Sequence, residues 1–251
     1  MTLIKETAES AMPFLDHLKE LRSRIWYVLV GVVVGTIVSF MWSNWLFEAL
    51  CSPIRNNFQN VSLIGTGPAD AFLTKILVSL ASGAVLSAPN SFYQFWAFIE
   101  PGLHDNERKQ ALPFVFFSSV FFLIGISFCF FLVLPFAFQF FSDEFLSIGL
   151  SPQIRISEYL SFIVKLILVF GVMFELPIGV FLLGRLGVIT HKQLKEHIRI
   201  AIVVIFVIAA IVTPPDVFTQ LMLAVPLCGL YFLCIYVCRF AERLREKSKL
   251  V

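Results

Sequence analysis

Carboxylates occupy the positions in this 251-residue chain that most need a chemical explanation. Glu175 is the only charge within residues 166–184. An ionised carboxylate near the centre of a membrane-spanning helix costs about 2.5–3.5 kcal/mol on insertion scales. It must therefore face protein or water rather than lipid. Two readings stand: a protonated or internally bonded glutamate that joins two helices, and a polar site that handles a proton or cation. Pro177 removes an amide donor two residues on and should bend the segment. Gly171, Gly179 and Gly184 would admit a close neighbouring helix. A second set of carboxylates, Glu20 together with Glu100, Asp105 and Glu107, lies beside apolar segments rather than inside them. The loop around Pro101-Gly102 carries these last three against Arg108 and Lys109, so it is acidic by one charge and suited to a cationic ligand. Other chemistries lack their residues. There is no His-Glu-x-x-His and no nucleophile elbow, and Gly65-Thr66-Gly67 lacks the Gly-Lys-Ser/Thr of a phosphate loop. The five cysteines show no metal-ligand spacing, and Cys51 has no evident disulfide partner. No catalytic residue, metal or cofactor is expected.

The elements that carry these carboxylates follow from composition. The chain is 58% hydrophobic and 14% charged, with mean hydropathy +0.86. Soluble domains carry roughly 25% charged residues, so too little polar surface remains for a water-soluble body. Runs 25–47, 76–99, 110–142, 200–215 and 217–238 contain no Asp, Glu, Lys or Arg. With the run interrupted by Glu175 they predict six spans, near 26–47, 74–97, 111–138, 160–184, 200–212 and 217–238. The fold class expected is an all-α integral membrane protein of one domain, its last two helices short. Thr213-Pro214-Pro215 ends the fifth span after residues 200–212. Thirteen residues rise about 20 Å, less than a hydrocarbon core of roughly 30 Å. Either the bilayer thins there or the last two segments form a shallow hairpin.

Orientation comes from the basic residues. Fifteen of the nineteen Lys and Arg fall on the side that holds both termini, and only Arg55, Lys75, Arg155 and Lys165 fall on the other. The richer side is assigned to the cytoplasm. The net charge of +2 hides this asymmetry and gives no reason for a nucleic-acid partner. The first apolar run is too long for a cleavable signal peptide, so the amino-terminal segment should stay attached. Phe14, Leu15, Leu18, Leu21 and Ile25 recur at helical spacing after Pro13, predicting an amphipathic helix over about 13–25. Its polar face carries Asp16, Lys19, Glu20 and Arg24, with Glu20 and Arg24 placed for an i, i+4 pair. That face reads equally as an interfacial anchor with solvated charges. Tyr93-Gln94-Phe95-Trp96-Ala97-Phe98 forms an aromatic cluster where the second span meets the headgroups. The exported loops, about 48–72 and 139–159, are long enough for short structured caps, with turns at Pro53, Gly65, Gly67 and Pro68.

Five separated strings resemble one family, TatC, the large membrane subunit of the twin-arginine protein translocase. They are His17-Leu18-Lys19-Glu20-Leu21-Arg22-Ser23-Arg24; Ser87-Ala88-Pro89 with Tyr93 through Leu103; Glu107-Arg108; Phe170-Gly171 with Phe174-Glu175-Leu176-Pro177; and Thr213-Pro214-Pro215-Asp216 with Gln220. The resemblance covers roughly residues 13–240. It implies a concave six-helix receptor in the inner membrane of a bacterium that binds twin-arginine signal peptides of folded cargo and uses the proton gradient. TatA- and TatB-type single-span subunits are the implied partners, and several copies are expected in one complex. On the matching positions, the resemblance assigns recognition of the arginine pair to Glu20 and Glu107, with Arg22, Phe98 and Leu103 near the same site. It makes Glu175 and Gln220 polar positions within the membrane. Pro53, Pro101, Pro177, Pro214, Pro215 and Asp216 become structural or coupling positions. The chain departs from the family where Tyr231 is followed by Phe232, because members often carry a glutamate there. Without the resemblance, the competing expectation is a secondary transporter using Glu175 as its ion site, although no pair of corresponding broken helices is present.

Overall fold

The computed structural model describes residues 2–58, 61–99, 111–213 and 215–249, except for the side chains of 2–17, 111–112 and 247–249. The chain divides into two compact units, residues 1–43 with 79–119, and residues 44–78 with 120–251.

The first unit contains α1 (Thr2–Met41), the end of α3 (Asp70–Leu86), α4 (Ala88–Ile99) and the start of α5 (Ala111–Phe128). The amphipathic stretch expected over 13–25 is one part of α1, which runs unbroken for 40 residues and begins well before Pro13. Glycines let α1 approach its neighbours closely. A Cβ on Gly35 would lie 2.6 Å from the Gly83 carbonyl oxygen, and one on Gly83 would lie 2.6 Å from Thr36 Cα. A Cβ on Gly31 would meet Asn90 Nδ2 at 2.5 Å, and that amide donates to the Tyr27 carbonyl at 3.3 Å. Ser87 separates α3 from α4, which are bent by 52°, and Pro89 stands in the first turn of α4, where a missing amide is tolerated. The outer side chains of α1, among them Trp26, Val33, Val34, Ile37 and Met41, are exposed. Such a surface suits lipid rather than water.

The second unit contains α2 (Ser43–Asn57), β1 (Ser62–Ile64), the start of α3 and the end of α5. It continues through a π-helical turn (Cys129–Val133), α6 (Leu134–Ser147), β2 (Gln153–Arg155), α7 (Ile156–Phe174) and α8 (Leu176–Leu186). It ends with α9 (His191–Glu196), α10 (Ile198–Val212) and α11 (Val217–Lys249). Its core is built on Ile54, Leu134, Leu160, Ile163, Phe170 and Leu223. Small residues again set the close crossings. A Cβ on Gly171 would meet the Phe122 ring at 2.6 Å, and one on Gly184 would meet Cys238 Sγ at 3.2 Å and Ala241 Cβ at 3.3 Å. Gly179, expected to admit a neighbour, meets nothing within 4 Å among the described residues.

The segments expected as exported loops carry the anticipated caps. β1 and β2 pair in parallel with Leu63 opposite Ile154. Arg155 donates to Thr66 Oγ1 at 2.8 Å and to Glu158 at 2.8 Å, and the Thr66 and Gly67 amides both donate to Asp70 Oδ2 at 2.8 Å. Within α2, Pro53 cannot donate to the Ala49 carbonyl four residues back. The Ser52 hydroxyl donates there instead at 2.7 Å, and Tyr159 of α7 donates its hydroxyl to the neighbouring Leu50 carbonyl at 2.9 Å. The proline thus leaves the Ala49 carbonyl to a side-chain donor, and the Leu50 carbonyl beside it ties α2 to α7.

Among the described residues, four helical stretches are long and apolar enough to cross a membrane: Leu18–Met41, Pro113–Ser147, Ile156–Leu186 and Val217–Glu246. The bent pair α3–α4 makes a fifth if taken as one span, and α10 is an apolar helix of 15 residues. The expectation of two short final helices is corrected for the last one, since α11 has 33 residues. The apolar run ends before Arg239, but the following Arg, Glu and Leu residues favour helix and include neither Gly nor Pro. The helix therefore continues past its apolar part.

Candidate functional site

Glu20, Arg24 and Gln94 meet within the first unit. Glu20 and Arg24 lie one turn apart on α1, and Arg24 Nη2 donates to Glu20 Oε1 at 3.2 Å. The other arm of the same fork, Nη1, donates to Gln94 Oε1 of α4 at 3.1 Å. Gln94 is 9% exposed, whereas the two charged side chains are about one-third exposed, at 31% and 30%. A guanidinium is thus held between a carboxylate and a buried amide, near the middle of α1, where its apolar run begins. Beside Gln94, Trp96 is fully buried with its ring 4.5 Å from that of Phe114. Phe98 is half-buried on the same helix, and Arg22 is exposed. Chemically, this arrangement binds guanidinium: a carboxylate has about four lone-pair sites and accepts a paired fork. Glu107, Leu103 and Pro101 lie outside the described residues.

Glu175 sits where α7 ends and α8 begins, in the second unit. Its backbone carbonyl accepts from the amides of Ile178 and Gly179 at 3.1 and 3.0 Å. Pro177 is buried in the first turn of α8, so the expected interruption falls at the glutamate itself. Its carboxyl oxygen Oε1 is shut off from solvent. The ring of the adjacent Phe174 lies 5.5 Å from Phe128, which also meets Phe170 at 5.7 Å.

Gln220 of α11 donates to the Phe206 carbonyl of α10 at 3.2 Å, joining the last two helices. Asp216 caps α11: its Oδ1 accepts the Thr219 amide at 2.7 Å and its Oδ2 accepts the Thr219 hydroxyl. Thr213 closes α10 with its hydroxyl on the Ala209 carbonyl at 2.8 Å. Pro215 is exposed and Pro214 lies outside the described residues. Pro53 is buried in α2, as described above. These groups are thus distributed over both units, and no group of three potential metal ligands forms among the described residues.

The family model for Sec-independent protein translocase protein TatC matches residues 16–226, most of the chain. The chain belongs to the TatC family. The Sec-independent protein translocase protein TatC of Aquifex aeolicus is 36% identical over 237 residues, covering 94% of this chain and 98% of the relative. The TatC protein of Helicobacter pylori is 42% identical over 227 residues, covering 90% and 87%. That of Escherichia coli is 34% identical over 235 residues, covering 93% and 91%. A crystal structure described as the twin arginine translocase receptor TatC superposes with a TM-score of 0.84 at 37% identity, covering 90% of this chain and 99% of the other. As a TatC protein, the chain is a membrane component of protein transport, in keeping with its apolar helices.

Two features of this TatC chain escaped the sequence reading. The aromatic cluster over 93–98 hides Gln94, although a glutamine amid aromatic side chains is itself a signal for a buried hydrogen-bonding partner. Gly31-x-x-x-Gly35 is a small-residue spacing known to bring membrane helices together, and it marks the α1 crossing. At the departure point, Tyr231 donates its hydroxyl to the Leu194 carbonyl at 2.8 Å, and Phe232 is exposed.

Proposed function

We propose that this chain is the receptor subunit of a twin-arginine translocase in the cytoplasmic membrane of a bacterium. It crosses the bilayer six times with both termini in the cytoplasm and catalyses no covalent reaction itself. Glu20 and Glu107 bind the two guanidinium groups of the signal peptide, while Phe98 and Leu103 receive its apolar stretch. Arg22 lies at the edge of that site. TatA- and TatB-type single-span subunits join the chain in a complex with several copies of it, and the proton gradient drives transport of folded cargo. Pro101, Pro214 and Pro215 shape the turns of this receptor, and Gln220 contributes polarity within the membrane.

The observation that supports this reading most is the resting pair at Glu20. Its carboxylate already holds the Arg24 guanidinium at 3.2 Å, beside Gln94. A partly exposed i, i+4 ion pair of this kind contributes about 0–1 kcal/mol, so an incoming arginine can replace it at small cost. The asymmetry of fifteen to four basic residues supports the orientation. Photocrosslinking a twin-arginine peptide to the chain in membranes tests the proposal. Labelling should depend on Glu20, and equal labelling by a peptide with paired lysines would count against it.

A further inference from the structure

A basic cavity separate from the Glu20 site lies between α9, the start of α10 and α11. It has a volume of about 380 Å³ and is lined by His191, Lys195, Ile198, Phe232, Ile235, Tyr236 and Arg239. Its lining divides by chemistry: Lys195 and Arg239 supply two cations, whereas Ile198, Phe232, Ile235 and the Tyr236 ring supply an apolar wall. Neither cation has an ion-pair partner among the described residues, and no carboxylate lines the cavity. His191 is the one lining group already engaged, through its Nδ1 and backbone amide on Glu242. Phe232 and Tyr236 are 45% and 71% exposed and extend the apolar wall along the outer face of α11.

We propose that this cavity binds one anionic phospholipid, its phosphate between Lys195 and Arg239 and an acyl chain along Phe232 and Ile198. Two like charges facing one cavity repel each other, and an anion removes that repulsion. The apolar wall distinguishes a lipid from a free phosphate, because a soluble anion gains nothing from Phe232 or Ile198. Position supports the same occupant. Arg239 is the first charge after the uncharged run 217–238, where a membrane helix leaves the hydrocarbon core. Anionic lipid attracts a basic segment at that depth. The inference rests on the cytoplasmic placement of residues 185–199 in the proposed topology but not on signal-peptide recognition, which the experiment leaves untouched.

Native mass spectrometry of the full chain in maltoside detergent, titrated with phosphatidylglycerol, phosphatidylcholine or glycerol phosphate, tests it. Phosphatidylglycerol should bind more tightly than phosphatidylcholine, and glycerol phosphate should bind negligibly. Each of Lys195→Gln and Arg239→Gln should weaken phosphatidylglycerol about fivefold, as for one cation at an anionic surface, with little effect on phosphatidylcholine. Phe232→Asn should weaken both lipids. Lys195 is exposed on a short helix, so Lys195→Gln alone keeps the test available if Arg239→Gln unfolds. Equal binding of the two lipids would overturn the proposal, as would an undiminished preference in Lys195→Gln. Glycerol phosphate bound as tightly as the lipid would make the cavity a site for soluble anions and would also overturn it.

Discussion

At Glu20, the i, i+4 pairing with Arg24 follows from local spacing alone, because residues four apart on a helix share a face. Gln94, the third member, is 70 residues away, and only the crossing of α1 with α4 brings it near. Local periodicity carries no information about that crossing. Because the Glu20–Arg24 pair is worth about 1 kcal/mol at most, Arg24→Gln should change twin-arginine peptide affinity by no more than about fivefold in fluorescence titrations. A loss of a hundredfold would mean that Arg24 itself holds the peptide. Glu175 was legible as an anomaly, and the structure puts it at the break between α7 and α8. We predict that Glu175→Gln, which keeps hydrogen bonding but loses charge, impairs export less than Glu175→Leu, which loses both. Full export by the leucine variant, read from the appearance of folded cargo outside the cytoplasmic membrane, would show the residue to be dispensable.

Among the elements, helix positions were readable from runs without charge, but their ends and crossings were not. α11 outruns its apolar stretch because arginine and glutamate sustain a helix in water, so the hydropathy boundary near Cys238 is not the helix boundary. The α3–α4 bend was marked in sequence only by Ser87-Ala88-Pro89, and its 52° angle is tertiary information. Glycines show the same limit, since Gly83 and Gly179 look alike in sequence and have opposite surroundings. A Cβ on Gly83 would press on the α1 backbone, and overpacking of this kind typically costs about 1–3 kcal/mol. At Gly179 the space is open, and replacing a helical glycine by alanine gains roughly 0.5–1 kcal/mol. Thermal unfolding in detergent should therefore fall for Gly83→Ala and hold or rise for Gly179→Ala. The reverse order would contradict the close crossing. Ser52→Ala should cost about 1 kcal/mol by the same assay, because the Ala49 carbonyl freed by Pro53 loses its donor. No change would show that another donor takes its place.

For the whole chain, charge asymmetry and uncharged runs were enough to predict a multispanning protein, and membership of the TatC family agrees with that prediction. The number of crossings is less directly readable, because α10 has only 15 residues and α3–α4 is long enough to cross only if the bent pair is taken as one span. Cysteine labelling from one side of the membrane decides the six-crossing topology. Positions near His104 and Lys249 should react from the cytoplasm, and positions near Gln59 and Gln153 only from the opposite side. Cytoplasmic labelling near Gln153 would reverse the assignment. The central claim, recognition of paired arginines by carboxylates from two distant segments, is tested most directly by peptide affinity in the assembled complex. Peptides with paired arginine and paired lysine should be compared on the unmodified chain and on Glu20→Ala and Glu107→Ala. Hydrogen bonds to charged groups are worth about 1.5–3 kcal/mol each, so each variant should lose at least about tenfold for the arginine peptide and most of its preference over lysine. Undiminished discrimination in both variants would remove these two glutamates from the recognition site.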